Sequence, residues 1–84
     1  MLQMRPNCEC CDVDLPADGS GAMAMICSFE CTFCSACAIH FTERCPNCGG
    51  DLMVRPPRPA ALLGQFPGST ERVLKPHEGC AAVA

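Results

Sequence analysis

The sequence predicts a small α+β domain stapled by metal ions, with a Pro-rich C-terminal tail. Three observations carry this expectation. The chain has 84 residues, and ten of them are cysteine. Nine of the ten fall within residues 1–54, most of them in closely spaced pairs. Setting cysteine and alanine aside leaves only 21 large apolar residues, with no Trp and no Tyr. A chain this short buries a modest share of its surface, so an apolar core alone is marginal and staples are required. The same arithmetic excludes a two-domain protein and a large enzyme.

The elements follow in order. Pro16-Ala17-Asp18-Gly19-Ser20-Gly21 is rich in turn formers. Ala22 to Phe29 is apolar and reads as a strand leading into the next cysteines, half of a short β-hairpin. Ser35 to Glu43 holds good helix formers and reads as the one short helix, with Ala36, Ile39 and Phe41 facing the core. Asp51 to Val54, after Gly49-Gly50, is a short strand candidate. The expected core is Phe29, Phe33, Ile39 and Phe41, continued by Met23, Met25 and Ile26.

Composition changes near residue 54. Residues 55–84 hold five of the eight prolines and begin Arg55-Pro56-Pro57-Arg58-Pro59, a run that favours extended polyproline-like backbone. The division is therefore a two-metal domain over 1–54 and a tail over 55–84, partly ordered or docked. Within the tail, Ala60 to Phe66 reads as two helical turns, and Ser69 as the cap of a second short segment ending before Pro76. If the tail docks, Leu62, Leu63, Phe66 and Val73 are its anchors. Otherwise they form an exposed patch suited to a partner.

The cysteines stand at 8, 10, 11, 27, 31, 34, 37, 45, 48 and 80. Cys8/Cys11, Cys34/Cys37 and Cys45/Cys48 are C-x-x-C pairs, and Cys27/Cys31 is a fourth pair with three residues between. Two intervening residues let one tight turn aim both sulfurs at a single ion, at about 2.3 Å for zinc, while backbone N–H groups donate to sulfur. Glycine after the second cysteine helps, because it tolerates positive φ. Cys45-Pro46-Asn47-Cys48-Gly49-Gly50 fits that turn. Four pairs supply eight ligands, enough for two tetrahedral zinc ions.

The ordered series resembles a RING finger: C-x2-C, fifteen residues, C-x3-C, two residues, C-x2-C, seven residues, C-x2-C. RING and related treble-clef domains use a cross-brace, in which alternate pairs share a metal. Carried over, the resemblance implies one zinc on Cys8, Cys11, Cys34 and Cys37, and another on Cys27, Cys31, Cys45 and Cys48. Strand alternation is compatible with it: Cys27 and Cys31, four apart, share a face of extended backbone, and Cys31 and Cys34 do not. The competing arrangement is sequential, 8/11/27/31 with 34/37/45/48. A second resemblance is to a family of short bacterial cysteine-rich proteins of unknown function. Its members open as this chain does, with Met-Leu-Gln-Met-Arg-Pro-Asn-Cys-Glu-Cys-Cys and then Cys-Thr-Phe-Cys-Ser-Ala-Cys. That match runs to about Pro76, implies a small metal-binding bacterial protein, and brings no known activity.

The resemblance to RING ligases thins where their function resides. Glu9 and Cys10 stand where ligases present an apolar residue to a ubiquitin-conjugating enzyme, no Trp follows the sixth ligand, and Gly49-Gly50 replaces the usual basic residue near the last. Ubiquitin-ligase activity is not expected. Closed all-cysteine sites leave no open coordination position, so the expectation leans away from an enzyme. The leading reading is a structural zinc protein acting as a protein-interaction or regulatory module. The alternatives are an iron–sulfur or thiol redox protein, suggested by Cys31-x2-Cys34-x2-Cys37, and zinc storage or sensing.

Charge bears on partners. Residues 1–54 carry formal charge −5 and the tail +2. With eight thiolates and two Zn²⁺ the first part reaches about −9, which repels phosphate, so nucleic acid is disfavoured and a protein partner expected. The tail's basic residues read as a solvated segment. No run approaches the roughly 18 apolar residues of a membrane-spanning helix, and no signal-peptide pattern precedes Cys8. The expected setting is the reducing cytoplasm, as a monomer by default, where cysteines more often bind metal than form disulfides. Cys10 reads as a free thiol, a donor to bound sulfur, or a replacement for Cys8 or Cys11. His40 is an alternative ligand, and His77 with Cys80 a further ligand pair or a free thiol.

Overall fold

A three-stranded antiparallel sheet and one short helix form the frame in the computed structural model, which describes residues 2–21 and 23–75. Strand β1 (Ala24–Ile26) lies between β2 (Thr32–Cys34) and β3 (Met53–Val54). The register pairs Ala24 with Cys34, Met25 with Phe33 and Ile26 with Thr32. β3 pairs Met53 with Ile26 and Val54 with Met25. Both predicted strands are shorter than the apolar runs that announced them.

Cys27 and Cys31 close the β1–β2 hairpin. The Cys27 N–H donates to the Cys31 carbonyl at 3.3 Å, and the Glu30 N–H donates to the Cys27 carbonyl at 2.9 Å. The four-residue spacing thus brings the two cysteines opposite each other around a turn, not along one extended strand. Glu30 takes positive φ to complete it.

Helix α1 (Ser35–His40) begins directly from β2. Cys34 is its N-cap, and its sulfur accepts from the Cys37 N–H at 3.4 Å. The helix stops three residues short of the predicted Glu43. Thr42 and Glu43 both adopt positive φ, and the Glu43 N–H turns back to the Ala38 carbonyl at 2.7 Å, consuming an end carbonyl. Its buried face is Cys37 and Ala38. Ala36 is exposed and Ile39 is 70% exposed, contrary to the expected core. The reason is the sulfur of Cys37: pointing it inward fixes the rotation of the helix and turns Ile39 out.

The core therefore has a different membership. Phe33 is fully buried and meets the edge of Phe41 at 5.8 Å between ring centroids. Leu15, Met25, Leu52, Ala24 and Ala38 pack with it around the buried cysteines. Phe29 is 72% exposed and Met23 is also exposed, so neither continues the core as expected.

The described part of the tail, residues 55–75, contacts the rest of the chain mainly through polar side chains and not through its apolar residues. Leu62 and Phe66 are exposed, Leu63 and Val73 half-buried. Ala60–Leu62 forms a single 3-10 turn. The Ser69 hydroxyl accepts from the Glu71 N–H, with no helix following among the described residues. Arginines hold the segment down. Buried Arg55 donates to the carbonyls of Arg5 and Leu15 at 2.8 and 2.9 Å. Arg58 reaches the carbonyls of Leu2 and Phe66, both at 2.9 Å. Arg72 pairs with Asp12 and Asp14 at 3.0 and 2.9 Å. These side chains replace the predicted solvated charges with specific contacts. They succeed because irregular backbone in a small protein leaves carbonyls in need of donors.

Candidate metal centres

Two cysteine turns are built alike. In the first, the Asp12 N–H donates to the Cys8 carbonyl at 2.8 Å and Asp12 takes φ 66°. In the second, the Gly49 N–H donates to the Cys45 carbonyl at 2.8 Å and Gly49 takes φ 77°. A Cβ at Gly49 would meet nothing within 4 Å, so glycine serves the backbone angle there and not a close approach. Short bridges fix each loop at its base, Asn7 with Asp14 and Arg44 with Asp51. Backbone N–H groups point at sulfur in both: Cys11 to Cys8 at 3.5 Å and Gly50 to Cys48 at 3.4 Å.

The loops and the hairpin bring the sulfurs into two groups. Those of Cys8, Cys11, Cys34 and Cys37 all lie within 4.8 Å of one another. Cys11 and Cys34, from different elements, are 3.6 Å apart. A tetrahedral ion with bonds of about 2.3 Å spaces its sulfurs roughly 3.8 Å apart, whereas a disulfide needs about 2.0 Å. The sulfurs of Cys27, Cys45 and Cys48 form a second group within the same limit. Either group could hold a metal ion, and all-thiolate donors suit a soft cation such as zinc, copper(I) or iron in a cluster.

Strand alternation explains the separation. Cys34 lies in register with Ala24, on one face of the hairpin, while Cys27 and Cys31 continue the alternate face that carries Met25 and Phe33. The first and third cysteine pairs thus come together, and the second and fourth approach each other. Cys31 is the exception. Its sulfur lies outside the three-sulfur group, although its carbonyl accepts from the Cys27 N–H across the hairpin.

The electrostatics follow from crowding. Burial alone would raise the Cys8 thiol, but N–H groups of Cys11, Cys34 and Cys10 outweigh it and bring Cys8 below its ordinary value. Burial pushes Cys11 up to about 11, helped by its sulfur neighbours Cys34 and Cys8. In the second group N–H groups of Phe29 and Cys31 lower Cys27 against its burial, while burial pushes Cys45 up to about 12. Each group thus sets one thiol held below its ordinary value, Cys8 or Cys27, beside one held above it, Cys11 or Cys45, whose proton a bound cation would replace.

Sequence reasoning did not find Glu9 and Asn47. Glu9 stands where RING ligases present an apolar residue to a partner, yet it is 1% exposed. Its carboxylate accepts from Asn47 Nδ2 at 2.6 Å, from Arg5 Nη1 at 3.1 Å and from the Thr32 N–H at 3.2 Å. The Glu9 N–H also donates to the Thr32 carbonyl at 3.0 Å, covering the outer edge of β2. Its burial had no local signal, because Asn47 and Thr32, which hold its carboxylate, are distant in the chain, and the corresponding positions Pro46 and Asn47 between Cys45 and Cys48 are exposed.

Cys10 is buried and belongs to neither group; its thiol is disulfide-bonded and so not free, while its N–H reaches the Cys8 sulfur, in keeping with the reading of it as a donor to sulfur. His40 is exposed, packs edgewise on Phe41, and lies apart from the sulfurs. His77 and Cys80 lie outside the described residues. No helix among the described residues is long and apolar enough to cross a membrane.

A small α+β frame that gathers cysteines into two tight groups defines a cysteine-cluster protein whose sites are compatible with metal. Comparison with known families specifies it further. The chain belongs to the family described as "Protein of unknown function (DUF1272)", whose model matches residues 1–58. It is similar to an uncharacterized protein of Rhizobium meliloti (strain 1021), 61% identical over 82 residues, which covers 96% of this chain and 94% of the relative. No solved structure matches it.

Proposed function

We propose that this protein is a non-enzymatic, zinc-stapled interaction module with a RING-like cross-brace. One Zn²⁺ is held by Cys8, Cys11, Cys34 and Cys37. The other is held by Cys27, Cys45 and Cys48, with Cys31 completing the tetrahedron. The observation that carries this reading is the convergence of four sulfurs from two distant C-x-x-C pairs within 4.8 Å of one another. Residues 1–54 form the metal-stapled unit, and the tail from residue 55 acts as a strap across it.

Closed thiolate sites staple a chain and offer no place for a substrate. What remains for function is the surface. Phe29, Ile39, Met53 and Val54 are all more than half exposed and offer apolar surface that a partner could cover. They suit a protein partner, whereas the net negative charge disfavours nucleic acid. The test is native mass spectrometry of the purified protein followed by capture from lysate with Phe29→Ala and Ile39→Ala as controls. Two zinc ions, and a partner retained by the wild type and lost by the controls, are expected. An iron-containing coloured protein, or turnover of a substrate, would overturn the reading.

A further inference from the structure

Glu9 stands inside the first cysteine loop, between Cys8 and Cys11, and is buried. Its bonds lead to the elements that supply the second sulfur group. Oε1 accepts at 2.6 Å from Nδ2 of Asn47, which lies between Cys45 and Cys48. The Glu9 N–H donates to the Thr32 carbonyl at 3.0 Å, and Oε2 accepts from the Thr32 N–H at 3.2 Å, so Thr32 is gripped by both of its backbone groups. Thr32 directly follows Cys31, whose carbonyl accepts from the Cys27 N–H. One residue of the first loop therefore bonds both the hairpin that carries Cys27 and the loop that carries Cys45 and Cys48.

The first group draws its sulfurs from the loop of Glu9 and from Cys34 and Cys37, where β2 passes into α1. A cation on those four sulfurs fixes the loop against β2, and the buried carboxylate with it. A carboxylate held away from water is costly without donors, so fixing it there favours the arrangement in which the Asn47 amide meets it. The loop of Cys45 and Cys48 is then held in place relative to Cys27 before a second cation arrives. Preorganisation of this kind raises affinity by removing an ordering cost from the binding step. Linkage makes the effect reciprocal, because a cation on the second group strengthens the first by the same factor.

Resting on the two-zinc reading above, we propose that the hydrogen bond between Glu9 and Asn47 couples the two metal groups, so that Zn²⁺ at either raises the affinity of the other. Neither side chain belongs to a sulfur group. Glu9 and Asn47 are positioning residues, and the element that both sites bias is a single bond, made or broken. The consequence is that the bond disfavours a half-loaded protein. The metal-free and two-zinc forms gain at the expense of the one-zinc form, which sharpens the response of the fold to free zinc.

The experiment titrates the metal-free full chain with Zn²⁺ against a competing chelator, and native mass spectrometry reads the populations of zero-, one- and two-zinc protein. The deciding quantity is the ratio of the second stepwise affinity to the first. Asn47 is exposed, so Asn47→Ala removes the bond with little disturbance of packing. It is expected to lower the ratio roughly tenfold, within the usual range of coupling between sites. Glu9→Gln is expected to lower it too, and the double variant no further than the larger single effect, because both remove one bond. Met25→Ala weakens the buried core without touching the bond, and is expected to lower both affinities and leave their ratio unchanged. An unchanged ratio in either bond variant, an equal fall in Met25→Ala, or a double variant that falls by the product of the single effects would each overturn the coupling. So would loss of one zinc ion from Asn47→Ala at saturating metal, which would make Asn47 part of a site and not a link between two. A wild-type protein that takes up fewer than two zinc ions would instead sink the zinc reading itself.

Discussion

Asn47 Nδ2 and Glu9 Oε1 lie 2.6 Å apart across 38 residues of chain. The bond ties the loop of Cys45 and Cys48 to the loop of Cys8 and Cys11. The second carboxylate oxygen of Glu9 is shared by Arg5 and the Thr32 N–H. One buried carboxylate thus satisfies donors from the Cys45 loop, from Arg5 ahead of its own loop and from the edge of the sheet. A carboxylate this buried is tolerated only with such partners.

Glu9→Gln tests that bracket. Glutamine keeps one oxygen for Arg5 and Thr32 but sets its own NH₂ against that of Asn47. The expected loss is about 1–3 kcal/mol, read as a lower urea midpoint at unchanged slope. Combining it with Asn47→Ala should cost less than the two losses added, because both remove one bond.

Core membership separates Phe33 from Phe29 and Ile39. Phe33→Ala is expected to destabilise by about 3–5 kcal/mol, since it opens a void between sheet and helix. Phe29→Ala and Ile39→Ala are expected to stay within about 0.5 kcal/mol of wild type. Denaturant titration of the three variants decides between this core and the one read from apolar pattern.

Arg55 is the hinge between sheet and tail. Arg55→Ala leaves the carbonyls of Arg5 and Leu15 without their donor, at an expected cost of about 1–3 kcal/mol. Limited proteolysis between Pro59 and Pro67 should accelerate. An unchanged cleavage pattern would mean that Arg58 and Arg72 hold the strap without it.

Metal removal should unfold residues 8–54. A structural zinc is worth about 10–16 kcal/mol of apparent free energy, more than this small core supplies. Chelation should collapse the dispersion of amide resonances, and readdition of zinc should restore it. A spectrum unchanged without metal would contradict the staple role.

The pH dependence has a definite sign. Burial raises Cys11 to about 11 and Cys45 to about 12, so both carry protons at neutral pH in the metal-free protein. Metal must displace those protons, so its apparent affinity should rise with pH and fall as pH falls. Calorimetry in buffers of different ionisation enthalpy should show net proton release on binding. Binding without proton release would show that the thiols were already ionised.

The local half of this design was legible in the sequence. C-x-x-C spacing and Gly49 announced the two tight cysteine turns, because a turn of that length is governed by neighbouring residues alone. The Cys27/Cys31 pair marked the hairpin tip, although its geometry is a turn and not extended strand. Helix position was legible, but its rotation was not. Apolar pattern favoured Ile39 inward, and the demand of Cys37 for its sulfur partners turned Ile39 out.

What the sequence by itself determined is that a chain with so little apolar volume relies on its cysteines, and which neighbours form pairs. Tertiary structure decided between the two pairings that the sequence left open, and it alone set Cys31 outside the three-sulfur group, buried Glu9 between the loops and tied the described part of the tail down with arginines. The physical reason is range. Spacing sets the shape of a turn through a few backbone angles, whereas convergence of distant pairs depends on strand alternation and on which buried polar groups find donors.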